Sequence, residues 1–338
     1  MLRGQYAHNH DIWNNTAPNG GFERFKDLGY EDSTMATWLD GAGYETGYIG
    51  KFLNQYGSYK QPTTHIPPGW DTWVGFQDGR NTLSSKGAYK VNDQGTIVTI
   101  DTNTEMDTDY FAQEAETFIR DQMADTPWFL VVAPNAPHLP ALASQRNDGT
   151  YADLSMLRTP NFNEADISDK ASVWQRAPLL TDECPSDHRT HNGLQCILEA
   201  EELWQDRTES LLDVDDMVAH LVQALGEKGF MNNTYIVHTS DNGWGMYKNR
   251  VYNKGAPYEH SQGVPFIVQG PGVRQGVVSE ELVANIDLAP TFAKWAGTRT
   301  PDFVDGRSFA PILGNPDAPW RTRLLCSSST PTRRSTER

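Results

Sequence analysis

Apolar positions follow two patterns along the chain, a helical period and short continuous runs. Three segments have the period of an amphipathic helix: residues 32–43, 107–127 and 204–229. Each is followed by a segment that contains a buried strand and the turn or loop that ends it, at residues 44–51, 128–140 and 233–243. Repeated helix-then-strand order with near-continuous apolar strands is typical of a mostly parallel sheet sandwiched by helices. The pattern therefore predicts an α/β fold.

Two long stretches show neither pattern. Residues 61–95 and 141–185 are rich in Gly, Pro, Asn and Asp, and we interpret both as long loops, which in compact domains usually carry function or are insertions.

A further apolar run at 264–272 predicts a fourth strand. The first helix is predicted to begin at a cap formed by Asp32 or Ser33.

Polar residues follow the predicted strands at their carboxyl ends, where open α/β sheets bind ligands. Lys51 ends the first strand and His138 follows the second. Asp241 and Asn242 follow the third, and Lys254 precedes the fourth. We therefore expect these residues to converge on one rim of the sheet.

Composition limits the class of protein. A chain of 338 residues with 38% apolar content can bury a large core, which excludes a short binding module. The formal net charge of −16 argues against a general nucleic-acid binder, because such binding depends on Lys and Arg neutralising phosphates. No run of about 18 apolar residues is present, so no membrane span is expected, and the first residues lack the apolar core of a secretory signal.

Asp241 and Asn242 offer adjacent oxygen ligands of the type that suits Ca²⁺ or Mg²⁺ rather than zinc. The sequence Asp-Asn-Gly is also a common turn, and on turn preferences alone that interpretation is favoured. Lys51 and Lys254 could hold a tetrahedral anion, and His138 could protonate a leaving oxygen. Each could equally be an ordinary surface or loop residue, and only their joint placement at strand ends favours a site.

The segment 184–196 contains Cys184, His188, His191 and Cys196, which raises the question of zinc. The spacing matches none of the usual arrangements of zinc ligands. We therefore favour a plain loop, or one closed by a disulfide between the two cysteines. With three cysteines in all, the chain has too few for a disulfide framework.

Three aspartates lie close together in the third predicted helix: Asp213, Asp215 and Asp216. Charged side chains on an amphipathic helix usually face solvent. We interpret these three as a solvated face rather than as a metal site.

Five motifs occur in one order along the chain. They read GYETGYIGKFLNQYG, APNAPHLP, HTSDNG, NKGAPYEHSQGVPFIVQGPG and NIDLAPTFAKWAG. Together they resemble the sulfatase family of the alkaline-phosphatase superfamily, and HNHDIWNN and GKFLNQYG are most similar to the branch that contains N-acetylglucosamine-6-sulfatases. The resemblance runs from Met1 to about Trp320 and implies an alkaline-phosphatase-like sulfatase domain.

The resemblance implies a role for each candidate residue. Asp241 and Asn242 match two of the family's Ca²⁺ ligands, with Mg²⁺ as the alternative metal. Lys51 matches the lysine that contacts the nucleophile and sulfate, and Lys254 matches a sulfate-binding lysine. His138 matches a sulfate-binding histidine that is a candidate acid for the leaving alcohol. The family nucleophile is a formylglycine, made from Cys or Ser by a formylglycine-generating enzyme, whose hydrated aldehyde attacks sulfur and afterwards releases sulfate.

One position inside the chain departs from the pattern of many sulfatases. Leu53 stands two residues after the motif lysine, where many members have a histidine that assists the release of sulfate. The N-acetylglucosamine-6-sulfatase-like branch resembles the chain in this feature. We hypothesise that His8 or His10 takes over the function of that histidine.

The ends of the chain depart more strongly. The first four residues, MLRG, fit the end of the family's Cys/Ser-x-Pro-x-Arg motif, which continues to Arg-Gly or Thr-Gly. In that register the nucleophile and the remaining Ca²⁺ aspartates precede the first residue, so residues 1–338 alone are expected to be inactive. Residues 1–320 are predicted to be the sulfatase domain without its N-terminal strand. Residues 321–338 are predicted to be a disordered tail in place of the family's small C-terminal domain.

The sequence therefore predicts a sulfuric ester hydrolase that acts on a sulfated sugar similar to N-acetylglucosamine 6-sulfate, or on an aryl sulfate. One alternative is a phosphodiesterase or phosphonate hydrolase of the same superfamily, and another is a non-catalytic protein that binds sulfated glycans. The residues determine neither oligomeric state nor localisation. The family's usual periplasmic or secreted setting implies export of the full-length protein.

Overall fold

The computed structural model describes residues 1–57, 62–77, 87–183, 196–315 and 318–324. Its strands are β1 (Glu45–Lys51), β2 (Thr72–Phe76), β3 (Ala88–Asp93), β4 (Thr96–Asp101), β5 (Trp128–Ala133), β6 (Ile236–Thr239) and β7 (Phe266–Gln269). A five-stranded sheet has the order β4-β3-β2-β1-β5, and β6 and β7 pair in a sheet of their own. The four predicted strands are therefore present as β1, β5, β6 and β7.

The helices range from one turn to the 31 residues of the longest. They are α1 (Ala7–His10), α2 (Gly21–Asp27), α3 (Met35–Asp40), α4 (Asp107–Asp121), α5 (Ile197–Glu227), α6 (Glu259–Gln262), α7 (Leu288–Trp295) and α8 (Ala310–Gly314). Short 3₁₀ helices span Tyr30–Asp32, Met231–Asn233 and Asn285–Asp287. The three predicted helices are present as α3, α4 and α5.

The N-terminus of α3 differs in detail from the prediction. Its cap is Thr34 rather than Asp32 or Ser33, and the Thr34 N–H donates to the Thr37 hydroxyl at 3.0 Å. This is the reciprocal arrangement of a capping box, with threonine in place of the usual Glu or Gln. The helix therefore begins one or two residues later than a cap at Ser33 or Asp32 would place it.

The centre of the main sheet is parallel. β1 pairs with β2 on one side and with β5 on the other, and Gly50 is level with both Gly75 and Ala133. Towards the other edge β2 pairs with β3 and β3 with β4, both antiparallel. The sheet is thus mixed, and helices flank it, so the predicted α/β class is confirmed.

Part of the antiparallel edge lies in a stretch that we predicted to be a loop. Both β2 and β3 fall within residues 61–95, so the loop prediction was wrong there. β3 and β4 are joined by Gln94 and Gly95, whose φ angles of 45° and 84° are those of the two-residue turns that match the twist of a hairpin. The second predicted loop agrees with the structure, since residues 141–183, the described part of it, contain no helix and no strand.

The two faces of β1 enter separate hydrophobic cores, because successive side chains of a strand point to opposite faces. Ile49 is fully buried and packs in a cluster that includes Phe111 of α4. Tyr48 packs in a cluster of mostly aromatic rings that includes Trp73 and Phe22 of α2. Both faces of this central strand are therefore covered by helices, as expected for a parallel sheet.

The chain divides into two compact units, each with its own core. The first unit comprises Met1–Asn135, Asp216–Ile236 and Val268–Arg338 as far as these are described, and it contains the main sheet. The second comprises the described residues of Ala136–Asp215 and Val237–Ile267. Its core consists of Met156, Leu180, Ala200, Leu203, Met246 and Tyr247.

Cys196 is part of a disulfide and is fully buried. A cysteine in a disulfide has no thiolate to offer zinc, which favours the closed loop over the metal site. Cys184, His188 and His191 lie outside the described residues, and so do residues 325–338 of the predicted tail.

Across the ranges that the structure describes, none of the helices is both long and apolar enough to cross a membrane.

Candidate active site

The glycine before Lys51 is required by its surroundings. Gly50 has a φ of +116°, a conformation that is open mainly to glycine. A Cβ atom at this position would lie 2.1 Å from the carbonyl oxygen of Ala133 on the neighbouring strand. Only glycine therefore fits, and Lys51 follows it at the carboxyl end of β1, where it was predicted.

Lys51 belongs to the first unit and is half-buried. Its backbone carbonyl accepts a hydrogen bond from the Tyr48 hydroxyl at 2.5 Å, which fixes the chain at the end of the strand. No partner for its ammonium group is found within the part of the chain that the structure describes. A half-buried lysine without an adjacent carboxylate can direct its charge to an anion.

His138 lies in a proline-rich turn of the second unit and is half-buried. Its Nδ1 atom lies 2.9 Å from the carbonyl oxygen of Leu139. Because a carbonyl oxygen can only accept, Nδ1 carries a proton, and Nε2 is the nitrogen that can exchange one. The Ala141 N–H donates to the His138 carbonyl at 2.8 Å and closes the turn.

Trp244 connects this turn to the predicted metal ligands. Its ring lies edge-on to the His138 ring, with centroids 6.3 Å apart. The Arg207 guanidinium lies 4.9 Å from the centre of the Trp244 ring, and it donates to the carbonyl oxygen of Pro137 at 2.6 Å. Sequence reasoning missed both residues, although Trp244 directly follows the Asp-Asn-Gly motif.

The loop of Asp241, Asn242 and Gly243 is a tightly packed turn. The Gly243 N–H donates to the carbonyl oxygen of Ser261 at 3.1 Å. A Cβ atom on this glycine would lie 2.3 Å from the carbonyl oxygen of His260. The glycine is therefore needed for close approach of two backbones, while the Asp241 side chain is exposed and that of Asn242 is half-buried.

Lys254 lies beside this loop. The Gly245 N–H donates to the carbonyl oxygen of Asn253 at 2.9 Å, which pairs the two segments. The Lys254 N–H is in turn bonded to the Asn253 side-chain oxygen at 2.8 Å. Within the second unit the structure thus brings together the histidine turn, the predicted metal ligands and Lys254, and Trp244 lies among them.

Asp241 and Asn242 suit a hard cation by the chemistry of their donors. Ca²⁺ takes about six to eight oxygen ligands from carboxylates, amides, carbonyls and water. Over the described ranges, no group of three or more His, Cys, Asp or Glu side chains is placed to hold a metal. The Ser240 hydroxyl donates to the Asn242 carbonyl at 3.0 Å and thereby supports this loop. By donor chemistry alone, Asp241 and Asn242 could supply two oxygen ligands to such a cation, and the metal site stays a prediction.

A stripe of polar residues on α5 holds the loop that follows His138. Gln205, Glu209 and Asp213 are spaced four residues apart and so lie on one face of the helix. Their hydrogen bonds, of 2.5–3.0 Å, reach Ser144, Asn147, Gly149, Tyr151, Ala152 and Leu154. The prediction of a solvated face was therefore wrong for Asp213, which is 1% exposed. Asp215 is exposed, as predicted.

His10 and His8 have different surroundings in the first unit. The Ile12 N–H donates to His10 Nδ1 at 3.0 Å, which requires that nitrogen to be unprotonated. Burial, with a smaller contribution from nearby positive charge, lowers the pKa of His10, so the ring is neutral at pH 7. His8 is exposed and stacks on the Tyr6 ring at 5.3 Å. The hypothesis that one of them assists sulfate release stays a prediction.

The MLRG segment has a structural function in the first unit. The buried Arg3 guanidinium lies between the rings of Tyr30 and Phe303, at 4.2 and 4.0 Å from their centres. Gly4 has a φ of +61°, and its N–H donates to the Met1 carbonyl at 3.1 Å. The Arg-Gly pair is thus a packed turn, with the glycine at a position that favours it.

A protein-family model described as Sulfatase matches residues 1–298 of the chain. N-acetylglucosamine-6-sulfatase of Capra hircus is 32% identical over 338 residues, which cover 96% of this chain and 56% of that protein. The extracellular sulfatase SULF-1 homolog of Drosophila melanogaster is 32% identical over 321 residues, which cover 93% of this chain and 27% of that protein. The chain therefore spans little more than half, or less, of the length of these relatives.

A solved structure supports the same fold. A protein in complex with its substrate D-glucosamine-2-N,6-O-disulfate matches with a TM-score of 0.72 at 20% sequence identity. The match covers 95% of this chain and 71% of the other. At this level of identity the similarity shows the fold alone, and it confirms the alkaline-phosphatase-like fold predicted from the motifs.

Proposed function

The chain belongs to the sulfatase family, and on that premise we propose that the complete gene product is a sulfuric ester hydrolase that releases sulfate from a sulfated sugar. The observation that carries the proposal is the family match over residues 1–298. A relative named N-acetylglucosamine-6-sulfatase, 32% identical, supports a glucosamine sulfated at O6 as the first substrate to test. An aryl sulfate is the second.

Three basic residues bind the sulfate ester in this proposal. Lys51 and Lys254 offset the negative charge on the sulfate oxygens. His138 donates a proton from Nε2 to the oxygen of the leaving alcohol. The hydrogen bond between Nδ1 and the Leu139 carbonyl supports this assignment, because it leaves proton transfer to the other ring nitrogen.

Asp241 and Asn242 would supply two oxygen ligands to Ca²⁺, or to Mg²⁺, in the same proposal. A bound divalent cation adds positive charge where the sulfate oxygens lie. The nucleophile would be a formylglycine in a Cys/Ser-x-Pro-x-Arg motif, made by a formylglycine-generating enzyme. The short pattern also occurs at residues 329–333, STPTR, but there Thr336 and Glu337 stand where the longer motif has its apolar pair.

The proposal is tested with the complete gene product, supplied with Ca²⁺ and offered 4-nitrophenyl sulfate, 4-nitrophenyl phosphate and a 4-nitrophenyl phosphonate ester. We expect the sulfate ester to have the highest kcat/KM and a chelator to reduce it. A Ser329→Ala variant serves as the control for the second Ser-x-Pro-x-Arg pattern and is expected to retain the activity.

Two outcomes would contradict the proposal and support its rivals. A higher kcat/KM for the phosphate or phosphonate ester would indicate a phosphodiesterase or phosphonate hydrolase. No turnover of any ester, together with Ca²⁺-independent binding of sulfated glycans, would indicate a non-catalytic binding protein.

A further inference from the structure

Arg207 is a half-buried cation with an unusual set of partners. Its Nη1 donates to the Pro137 carbonyl at 2.6 Å, and its guanidinium lies 4.9 Å from the centre of the Trp244 ring. No ion pair between Arg207 and a carboxylate is found over the described ranges. A carbonyl dipole and an aromatic face therefore take the place of a counter-ion.

Another arginine of the same unit shows the contrast. Arg158 also lies over an aromatic ring, 5.8 Å from the centre of Phe162. It forms an ion pair with Glu201 as well. Burial without such a partner lowers the pKa of Arg207 to about 10. Desolvating an unpaired charge is unfavourable, and sites of this kind are often functional.

Arg207 acts on His138 through two neighbours, Pro137 and Trp244. Pro137 directly precedes His138, so a hydrogen bond to its carbonyl restrains the backbone of the turn. Trp244 lies edge-on to the imidazole at 6.3 Å and restrains the ring. The Leu139 carbonyl, 2.9 Å from Nδ1, then determines which ring nitrogen carries the proton.

We propose that Arg207 is a positioning residue that holds the His138 turn and the Trp244 ring so that Nε2 faces the reacting ester. The inference rests on the proposed function, which makes His138 the proton donor. A carboxylate could not take this place, because it only accepts hydrogen bonds and the Pro137 carbonyl needs a donor. Its negative charge would also repel a sulfate ester. Arginine donates to the carbonyl, packs on the aromatic ring and leaves the local charge positive.

The first test measures the His138 ring itself and needs no activity. Residues 1–338 with ¹⁵N-labelled histidine are compared as wild type, Arg207→Met, Arg207→Lys and the matched control Arg158→Met. We expect wild type and the control to show the Nδ1-protonated tautomer of neutral His138, and Arg207→Met to show a mixture of tautomers. Identical His138 spectra in wild type and Arg207→Met would overturn the proposal.

The second test measures turnover of 4-nitrophenyl sulfate by the complete gene product carrying the same substitutions. We expect Arg207→Met to lower kcat by about 10- to 100-fold with a change in KM below about threefold, because the proton donor is misplaced while the sulfate-binding lysines remain. Arg207→Lys is expected to recover part of kcat, and Arg158→Met to retain it. A loss confined to KM would overturn the proposal in favour of direct anion binding.

The two tests distinguish the failure of this inference from the failure of the proposed function. If wild type shows no sulfatase activity, the proposed function fails, and the tautomer comparison still decides whether Arg207 positions His138. If Arg207→Met does not fold, Arg207→Lys decides in its place, since lysine keeps the charge but loses the planar fork of donors. Wild-type spectra and wild-type kcat in Arg207→Lys would then overturn the positioning role.

Discussion

Asp213 and Ser144 lie 69 positions apart in sequence and are joined by two hydrogen bonds. The Ser144 N–H donates to one carboxylate oxygen at 2.7 Å, and the Ser144 hydroxyl donates to the other at 2.5 Å. Asp213 is 1% exposed, so these bonds form away from water, where they are stronger. The pair fixes the loop that follows the His138 turn onto the helix α5.

Replacing Asp213 by Ala is expected to lower the free energy of unfolding by about 2–4 kcal/mol, because buried donors of the loop lose a charged acceptor. Urea denaturation of residues 1–338 measures this change. Asp215→Ala is the matched control on the same helix, and as an exposed position it should change stability by less than about 0.5 kcal/mol. Equal losses of stability in the two variants would contradict the role of Asp213 as a buried acceptor that holds the loop.

Replacing Gly50 by Ala is expected to lower stability by more than about 3 kcal/mol, because positive φ and a backbone contact at 2.1 Å act together. Gly43→Ala separates the two causes. Gly43 has a φ of +85°, but a Cβ atom added there would meet no other atom within 4 Å, so only the backbone strain of about 1 kcal/mol applies. Thermal denaturation of both variants tests the difference. Similar losses of stability in the two variants would show that the contact with the Ala133 carbonyl oxygen has no effect.

Asp206 makes stability depend on pH. Asp206 is exposed, but neighbouring groups displace part of the water around its carboxyl group, and this desolvation, followed by the charges of Glu209, Glu202 and Asp148, raises the pKa of Asp206 to about 6. A raised folded-state pKa means that the folded chain holds this proton more tightly than the unfolded chain. The stabilisation is therefore complete below about pH 4, the unfolded value, and is lost as the pH rises through 6.

Asp206→Asn removes this dependence. We expect the variant to have a higher Tm than wild type at pH 7.5, where wild-type Asp206 is charged, and the same Tm near pH 4, where it is not. Melting curves of the two proteins at both pH values provide the measurement. A difference of equal size at pH 4 would show that the substitution acts through packing rather than through charge.

The disulfide of Cys196 is predicted to involve Cys184. Replacing either cysteine by Ser should then lower stability by the same amount, about 2–4 kcal/mol, whereas Cys326→Ser should have no effect. Chemical denaturation of the three variants, with peptide mapping of the wild-type bridge by mass spectrometry, provides the test. A loss in Cys326→Ser and none in Cys184→Ser would reverse the assignment.

The central strand β1, its neighbour β5 and the helix α4 could be predicted from sequence because their patterns are strong, whereas β2 was missed. Ile49 and its neighbours on β1 form a near-continuous apolar run, and α4 has an amphipathic period. The hairpin of β3 and β4 was not predicted, because β3 (Ala88–Asp93) lies in a stretch rich in loop-forming residues. The Gln94-Gly95 turn between alternating residues was the available signal.

The candidate site was predicted only where residues stand at strand ends. Asp241 and His138 are candidates because they follow predicted strands, where the topology of α/β sheets places ligands. Arg207 and Asp213 could not, because both lie within the same helical pattern as exposed charged residues. Their contacts depend on which loops pack against the helix. The periodicity of apolar residues in the helix does not show which loops these are.

The most direct test of the proposed function is the release of inorganic sulfate from N-acetylglucosamine 6-sulfate by the complete gene product, measured by ion chromatography. We predict sulfate release by wild type and a loss of at least about 100-fold in kcat/KM for His138→Ala, whose proton is needed by the alcohol leaving group. Full activity of His138→Ala, or no release of sulfate from sugar and aryl esters by wild type, would contradict the account.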